Sequence, residues 1–375
     1  MQTQITKQAA TQRPFHKALL TRVLDNRVAE TIIEQPVMSY YLQDINPLWT
    51  LKDLRARVVK VIDETQDAKT FVLRPNWRWT GFAAGQNVGV NVEIEGVIQR
   101  RRYSMSCADT RHKTFQITVK RVPDGRVSNW LHDNIQAGDV LNLSAPAGDF
   151  VLPEQAAQKL LLLGGGSGIT PLMSQLETLL DADYAGDIIL LYFVRSPADR
   201  IFGKRLDALE AEHPNLRVQW CFEDDAAGGK PERFSAKQIA KRVPDYRERQ
   251  AQLCGPAGFM AAVRKHWEAE GLDAQLAFEY FGAPPIVAVD GEAAEVTLAG
   301  KARDLTAQPN QTLLEALEAA GETPVYGCRM GICHECKCSK RSGAVRNLLT
   351  GEVTSGEEDI QLCISVAAGD VTLNY

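Results

Sequence analysis

Apolar positions recur at helical spacing near the start of the chain, at Leu19, Leu20, Val23, Leu24, Val28, Ile32 and Ile33. This predicts one or two amphipathic helices within residues 1–51, broken near Pro36. From Leu54 onward the period changes. Short β-branched runs at 57–62, 87–94, 97–106, 115–122 and 140–143 are separated by turns such as Asp124-Gly125 and Gly138-Asp139. Closely spaced short strands predict an antiparallel β-barrel over 52–153. A third texture begins at Lys159: buried-looking strands at 160–163, 187–194, 217–222 and 252–253 alternate with helical segments. That alternation predicts βαβ units and a parallel sheet, an α/β domain over 154–283. The punctuation Phe281-Gly282-Ala283-Pro284-Pro285 reads as a linker. Beyond it, 284–375 reads as a compact α+β domain with a hairpin near Asp290-Gly291 and a helix from Thr312 to Ala320. The chain is thus expected to be multi-domain, as its 375 residues exceed one compact core.

Composition narrows the function classes. A net charge of −5 leaves nothing to offset phosphate repulsion, so nucleic acid is not an expected partner. No apolar run approaches the 18 or so residues a membrane-spanning helix needs, so no transmembrane segment is expected. The first fourteen residues lack the apolar core of a secretory signal, which points to a cytoplasmic protein.

The eight cysteines are unevenly placed. Cys107, Cys221 and Cys254 are scattered, whereas Cys328, Cys333, Cys336, Cys338 and Cys363 crowd the last fifty residues. Clustered thiols in a cytosolic chain indicate metal or redox chemistry rather than crosslinks. Cys328, Cys333 and Cys336 follow C-x4-C-x2-C, with Cys363 as a distant fourth. A [2Fe–2S] rhomb needs four thiolates, three of them from one tightly wrapped loop, and Gly327 and Gly331 let the backbone curl and aim N–H groups at sulfur. Structural zinc also takes four thiolates, but zinc ribbons pair two short knuckles and only one is present here. Cys338 could stand in for Cys336 or be a bystander, and the spacing favours the bystander.

Three further motifs could hold cofactors. Gly164-Gly165-Gly166-Ser167-Gly168-Ile169-Thr170-Pro171 links an apolar strand to a helical pattern, where backbone N–H groups and the helix N-terminus can receive a pyrophosphate. It is not the G-x-G-x-x-G fingerprint, and a ligand-free tight turn is the alternative. Cys254-Gly255-Pro256 ends a second strand at the same carboxyl edge of the sheet, where open α/β sheets bind ligands. Cys254 there could face a nicotinamide, or be a small buried hydrophobe. Arg101-Arg102-Tyr103-Ser104 could clamp and cover a flavin, or be an exposed basic strand end. Gly125 and Ser128 open a predicted helix, with Ser128 expected as its N-cap.

In this order the motifs resemble the ferredoxin–NADP reductase superfamily, and within it the three-module reductases of oxygenase systems. The flavin motif R-x-Y-S is matched by Arg101, Tyr103 and Ser104, and G-x-x-S by Gly125 and Ser128. The nicotinamide motifs are matched by Gly164, Gly165, Gly166, Gly168, Thr170 and Pro171, and by Cys254, Gly255 and Pro256. Phe278-Glu279-Tyr280-Phe281 matches the segment that lies beside the flavin ring in relatives, where the acid assists proton or hydride handling. The C-terminal ferredoxin-like module follows the order of phthalate dioxygenase reductase. The resemblance covers residues 52–375 and implies a β-grasp fold for the last domain, FAD as flavin, and Ser104, Cys254 and Glu279 as catalytic residues.

The implied route runs from a nicotinamide through flavin to the cluster, because only a flavin exchanges electrons both in pairs and singly. Plant-type clusters sit near roughly −400 mV, suited to reducing an iron oxygenase. Arg195, Ser196 and Arg200 follow the strand at 187–194 and favour NADPH over NADH, since arginine and serine accept a 2′-phosphate. The acceptor is expected to be a separate protein. The helical N-terminal extension is similar to that of reductases serving membrane-bound di-iron fatty acyl desaturases, which would bring this chain to the inner membrane through its partner. A Rieske-type aromatic-ring oxygenase, another iron–sulfur acceptor, and a non-catalytic relay subunit of a larger dehydrogenase are the alternatives.

Overall fold

The computed structural model describes residues 44–50, 52–110, 113–153, 156–224, 231–281, 292–301, 303–327, 329, 331 and 334–375. The helices expected in the first fifty residues, the hairpin near Asp290-Gly291, and the linker after Phe281 lie outside these residues, as do Cys328 and Cys333.

The N-terminal sheet contains β1 (Leu54–Thr65), β2 (Ala68–Pro75), β3 (Asn87–Ile94), β4 (Val97–Ser104), β5 (Phe115–Lys120) and β6 (Val140–Leu143), antiparallel in the order β4-β3-β6-β1-β2-β5. A bridge between Met105 and Ile117 joins its two ends and closes the barrel. Inward positions carry the core: Ala56 and Val58, Phe71 and Leu73, Val88 and Val90, Ile117 and Val119 are all buried. Strand β2 was not among the runs picked out by pattern. It follows β1 after only Gln66 and Asp67, a turn without glycine that Asp67 stabilises by accepting from Thr65 Oγ1 at 2.9 Å. Helix α1 (Arg126–Asn134) packs Val127 and Leu131 against this core.

The central sheet is parallel, in the order β11-β10-β7-β8-β9, from β7 (Lys159–Gly165), β8 (Asp187–Val194), β9 (Leu216–Phe222), β10 (Gln250–Gly255) and β11 (Leu276–Tyr280). Helices α2 (Ile169–Asp181), α3 (Gly203–Glu212), α4 (Ala236–Arg242) and α5 (Ala257–Ala269) alternate with the strands. Residues 160–163 are wholly buried because they face two cores, with Leu160 and Leu162 on one side and Leu161 and Leu163 on the other. At the amino edge the buried Arg249 is held by Asp245 and Asp187 and donates to the Leu160 carbonyl at 3.2 Å. This ion cluster lies at the opposite edge from the glycine loops and braces the strand ends.

The C-terminal sheet is mixed. It runs β13-β12-β17-β14-β15 with β16 beside β14, from β12 (Ala294–Leu298), β13 (Arg303–Ala307), β14 (Lys337–Asn347), β15 (Val353–Thr354), β16 (Glu358–Gln361) and β17 (Ser365–Leu373). Strands β12 and β17 are parallel and the other pairs antiparallel. Helix α6 (Leu313–Ala319) begins at a capping box in which Thr312 and Glu315 exchange side-chain-to-backbone bonds, and it lays Leu313, Leu314 and Leu317 on the sheet.

Candidate functional site

Two strand registers bring the central polar groups together. In the barrel, Asn87 opens β3 opposite Ser104, the last residue of β4. In the central sheet, Cys254 of β10 lies opposite Glu279 of β11. The two pairs meet where Asn87 Nδ2 donates to Glu279 Oε1 at 3.0 Å, a buried contact spanning 192 residues of sequence. Arg102 completes the group, donating through Nε to Asn87 Oδ1 and through Nη2 to the Asn87 carbonyl at 3.2 Å. Gly148, with φ of +117°, leaves room here, since a Cβ would stand 2.9 Å from Asn87 Nδ2.

Burial raises the Glu279 carboxyl to about 7, despite opposing contributions from Asn87, Arg102 and Ser104. Its Oε2 is buried with no hydrogen-bond partner. A buried carboxyl oxygen of a group that can hold a proton near neutrality suits a bound group that exchanges a hydrogen bond with it. The Cys254 thiol is fully buried and pushed well above its ordinary value, first by burial and then by Glu279, so it stays neutral. It packs with the α2 core beside partly buried Phe281. The three residues expected to be catalytic, Ser104, Cys254 and Glu279, are therefore neighbours.

Asn87 was not picked out from the sequence, and Arg102 entered only as part of the run from Arg101 to Ser104. The available signal was a polar residue opening the buried run Val88-Gly89-Val90, which pattern reading treats as a strand end.

Arg101 is exposed, and its Nη1 donates to the Arg100 carbonyl at 2.8 Å. Tyr103 packs against the barrel core, and burial raises its hydroxyl above the ordinary range. Ser128 is not an N-cap. Helix α1 starts at Arg126 with Gly125 in the capping position, so Ser128 lies in the first turn, where its Oγ accepts from Val122 N–H at 3.2 Å. A Cβ on Gly125 would meet that Oγ at 2.6 Å, so the glycine and serine are fitted to each other.

The glycines of the 164–168 loop have several separate reasons. At Gly168 a Cβ would lie 2.2 Å from the Cys254 carbonyl oxygen, and at Gly165 one would lie 2.8 Å from Pro256. Gly255 is pressed from the other side by Gly165 and Phe259. These three let two strand-end turns pack face to face. Gly166 alone among the loop glycines has positive φ, +50°, with open space around its Cβ position, so it is the one presented outward. Gly166 is thus the loop glycine open to an approaching group, while packing explains why Gly165, Gly168 and Gly255 are glycine. Thr170 and Pro171 are buried in the first turn of α2, and Thr170 Oγ1 donates to the Ser167 carbonyl at 3.1 Å.

Past β8, Ser196 Oγ donates to Asp199 Oδ2 at 2.6 Å, and Arg195 pairs with both Asp199 and Asp67. Arg200 stacks on Trp220 at 4.9 Å.

In the C-terminal domain, Cys336 and Cys363 are buried in one core, joined where Leu362 N–H donates to the Cys336 carbonyl at 3.1 Å. Arg329, Gly331 and His334 all take positive φ, between +56° and +78°, so the backbone turns sharply at each of them. Arg329 is fixed by Glu318 and by stacking on Tyr326 at 3.9 Å. A Cβ on Gly331 would strike Ile364 at 2.7 Å, which seats Gly331 on the residue after Cys363. The buried thiols of Cys336 and Cys363 beside these turns fit a [2Fe–2S] cluster. Cys338 sits one strand position further on, buried near the Ser339 and Asn374 carbonyls, with its thiol raised to about 11.

The three sheets meet at a cleft of about 350 Å³ lined by residues 148–150, all of β11, and Gly331 and Leu349 of the C-terminal domain. Residues 55–152 match the family described as oxidoreductase FAD-binding domain, 162–265 the oxidoreductase NAD-binding domain, and 296–368 the 2Fe-2S iron-sulfur cluster binding domain. The chain belongs to the FAD- and NAD-binding reductases that carry a C-terminal [2Fe–2S] ferredoxin domain. It is therefore an NAD(P)H-dependent oxidoreductase whose groups are FAD and a [2Fe–2S] cluster.

An NADPH oxidoreductase of Mycobacterium tuberculosis is 35% identical, covering 93% of this chain and 91% of its own. The glycine betaine monooxygenase reductase subunit of Chromohalobacter salexigens is 33% identical, over 87% of this chain and 96% of its own. The structure of phthalate dioxygenase reductase, 25% identical, superposes with a TM-score of 0.58 over 86% of this chain and 98% of that one. This reductase has the same domain order, with the ferredoxin domain last. No described helix is long and apolar enough to cross a membrane.

Proposed function

We propose that this reductase is the electron-supplying component of an oxygenase system, with 52–153, 154–283 and 284–375 as its flavin, nicotinamide and cluster units. The observation that carries the reading is the cleft at which Glu279, the 148–150 turn and the cluster loop converge. Two relatives point the same way, since one is a monooxygenase reductase subunit and one a dioxygenase reductase. When bound, FAD converts a two-electron donor into single-electron transfers, and the cluster relays them one at a time.

The chain's own residues do the rest. Arg101 meets the flavin pyrophosphate with its exposed guanidinium, Tyr103 and Ser104 pack along the ring and ribityl chain, and Gly125 with Ser128 shapes the turn beside them. Gly164, Gly165, Gly166, Gly168, Thr170 and Pro171 form the nicotinamide dinucleotide turn, with Gly255 and Pro256 opposite. Cys254, kept neutral, offers a small apolar wall. Glu279 holds a proton at its carboxyl beside the cleft, and Phe281 shields it from water. Cys328, Cys333, Cys336 and Cys363 ligate the cluster.

We read the nicotinamide as NADPH. Arg195, Ser196 and Arg200 are the groups that would receive a 2′-phosphate, displacing the Asp199 carboxylate that Arg195 and Ser196 hold. A relative named NADPH oxidoreductase supports this. A higher kcat/KM for NADH than for NADPH would reverse it.

The other acceptor to test is a membrane-bound di-iron desaturase, a reading that rests on the likeness of the N-terminal extension alone. NADPH consumption coupled to product by a purified oxygenase, but not by desaturase-containing membranes, decides for the first reading. The reverse result decides for the second.

The electron route is tested with Cys363→Ser. It should remove the reddish-brown cluster colour and most NADPH–cytochrome c reduction, yet leave ferricyanide reduction within about twofold, because the flavin unit is untouched. Unchanged activity with cytochrome c overturns the route.

A further inference from the structure

The C-terminal domain grips its neighbours at two points on either side of the cluster loop. One is apolar: Leu349 belongs to the C-terminal core yet also packs against the core of the nicotinamide domain. The other is ionic. Arg100 Nη1 donates to Glu335 Oε1 at 2.6 Å, across 235 residues of sequence. Glu335 lies directly before Cys336, and Arg100 directly before Arg101. The Arg100 side chain is also held from behind, with Nε donating to Asn91 Oδ1 at 2.7 Å on the neighbouring strand. The guanidinium is thus aimed before the C-terminal domain arrives.

We propose that Arg100 and Glu335 form an interdomain clasp that positions the cluster loop over the cleft, and so sets the rate of transfer from flavin to cluster. The inference rests on the electron route proposed above. Both side chains are about 40% exposed, 37% and 41%. Such a pair adds little to folding stability and is weakened by salt. Between domains already held together by the chain and by Leu349, a weak contact is enough to choose among orientations, because the local concentration of its partner is high. Salt should therefore loosen the ionic grip and leave the apolar one in place. The two residues are positioning residues, since neither needs to touch flavin or cluster.

The test uses the holoprotein with both groups loaded, in R100E, E335R and the double reversal R100E/E335R. After anaerobic mixing with NADPH, bleaching of the cluster's visible band should slow about tenfold in each single variant and recover to within about threefold in the reversal, as coupled contacting residues do. Ferricyanide reduction should stay unchanged in all three. Hydrogen exchange should show residues 148–150 and 276–280 losing protection in the singles and regaining it in the reversal. Raising salt should slow bleaching in the native protein and speed it in the singles, where it screens the like charges each substitution brings together. Single variants that bleach at the native rate, or a reversal no better than either single, would overturn the clasp. If the native protein itself shows no cluster bleaching, the electron route fails instead, and the exchange pattern still reports separately on the clasp.

Discussion

Glu279 is the residue whose chemistry depends most on its surroundings. An exposed glutamate titrates at 4.5, and burial beside Asn87 carries this one to about 7. Its raised value means the folded state keeps a proton that the unfolded chain gives up. Below pH 4.5 both states hold it and there is no penalty. As pH rises from 4.5 through 7 the unfolded chain ionises first, so stability is lost across that window and levels off above it. Glu279→Gln, which retains the acceptor for Asn87 without the ionisation, should therefore melt higher than the native protein above pH 7, by about 2–5 °C, and match it near pH 4.5. A melting difference that does not change with pH would show that the carboxyl titrates normally. Glu279 was legible from its aromatic neighbours through a family resemblance. Its raised pKa was not, because that comes from burial in the folded molecule, which outweighs the opposite pull of Asn87 and Arg102.

At the scale of elements, period and spacing predicted the strands well wherever one face or both were uniformly apolar. Strands β3, β6 and β8 begin and end where the pattern says they should, and the helix expected from Thr312 is α6 with its cap. Strand β2 escaped because its turn carries no glycine, and β11 because five residues ending in Glu279 and Tyr280 read as a motif rather than a strand. The glycine loop was found by its placement between strand and helix, but its internal logic came from a facing turn. Gly168 has ordinary helical φ, so nothing in its own backbone demands glycine. The demand comes from the Cys254 carbonyl. Gly168→Ala should push the two turns apart, cost about 1–3 kcal/mol, and raise KM for NADPH while FAD content is preserved. Gly166→Ala, strained only by its left-handed φ, should cost about 1 kcal/mol and leave the fold of the loop intact. Thermal melts and NADPH titrations of the two variants check the contrast, and an equal response from both would refute it.

Across the whole molecule, three domains share one cleft, and Leu349 and the Arg100–Glu335 pair help to seat the C-terminal one. Leu349 is the apolar contact. Leu349→Asp would place a charge against the aromatic flank of β11 and should cut NADPH–cytochrome c reduction about tenfold with ferricyanide reduction preserved. Salt relieves the like-charge defect of R100E by screening, whereas it should not relieve this one. Stopped-flow traces at low and high ionic strength separate the two, and a Leu349→Asp defect that salt relieves would contradict the assignment.

The amino-acid sequence by itself determined the antiparallel class of the first sheet, the parallel class of the second, the C-x4-C-x2-C spacing and the order of cofactor motifs. All of these are written in local period or short spacing, which a chain carries wherever it folds. Only the tertiary structure decided that Asn87 meets Glu279, that Gly168 yields to a carbonyl, that Ser128 lies inside its helix, and that Arg100 reaches Glu335. Those pairings join residues far apart in sequence or depend on where a neighbouring turn comes to rest. Strand register and domain docking set them, and no local pattern encodes either.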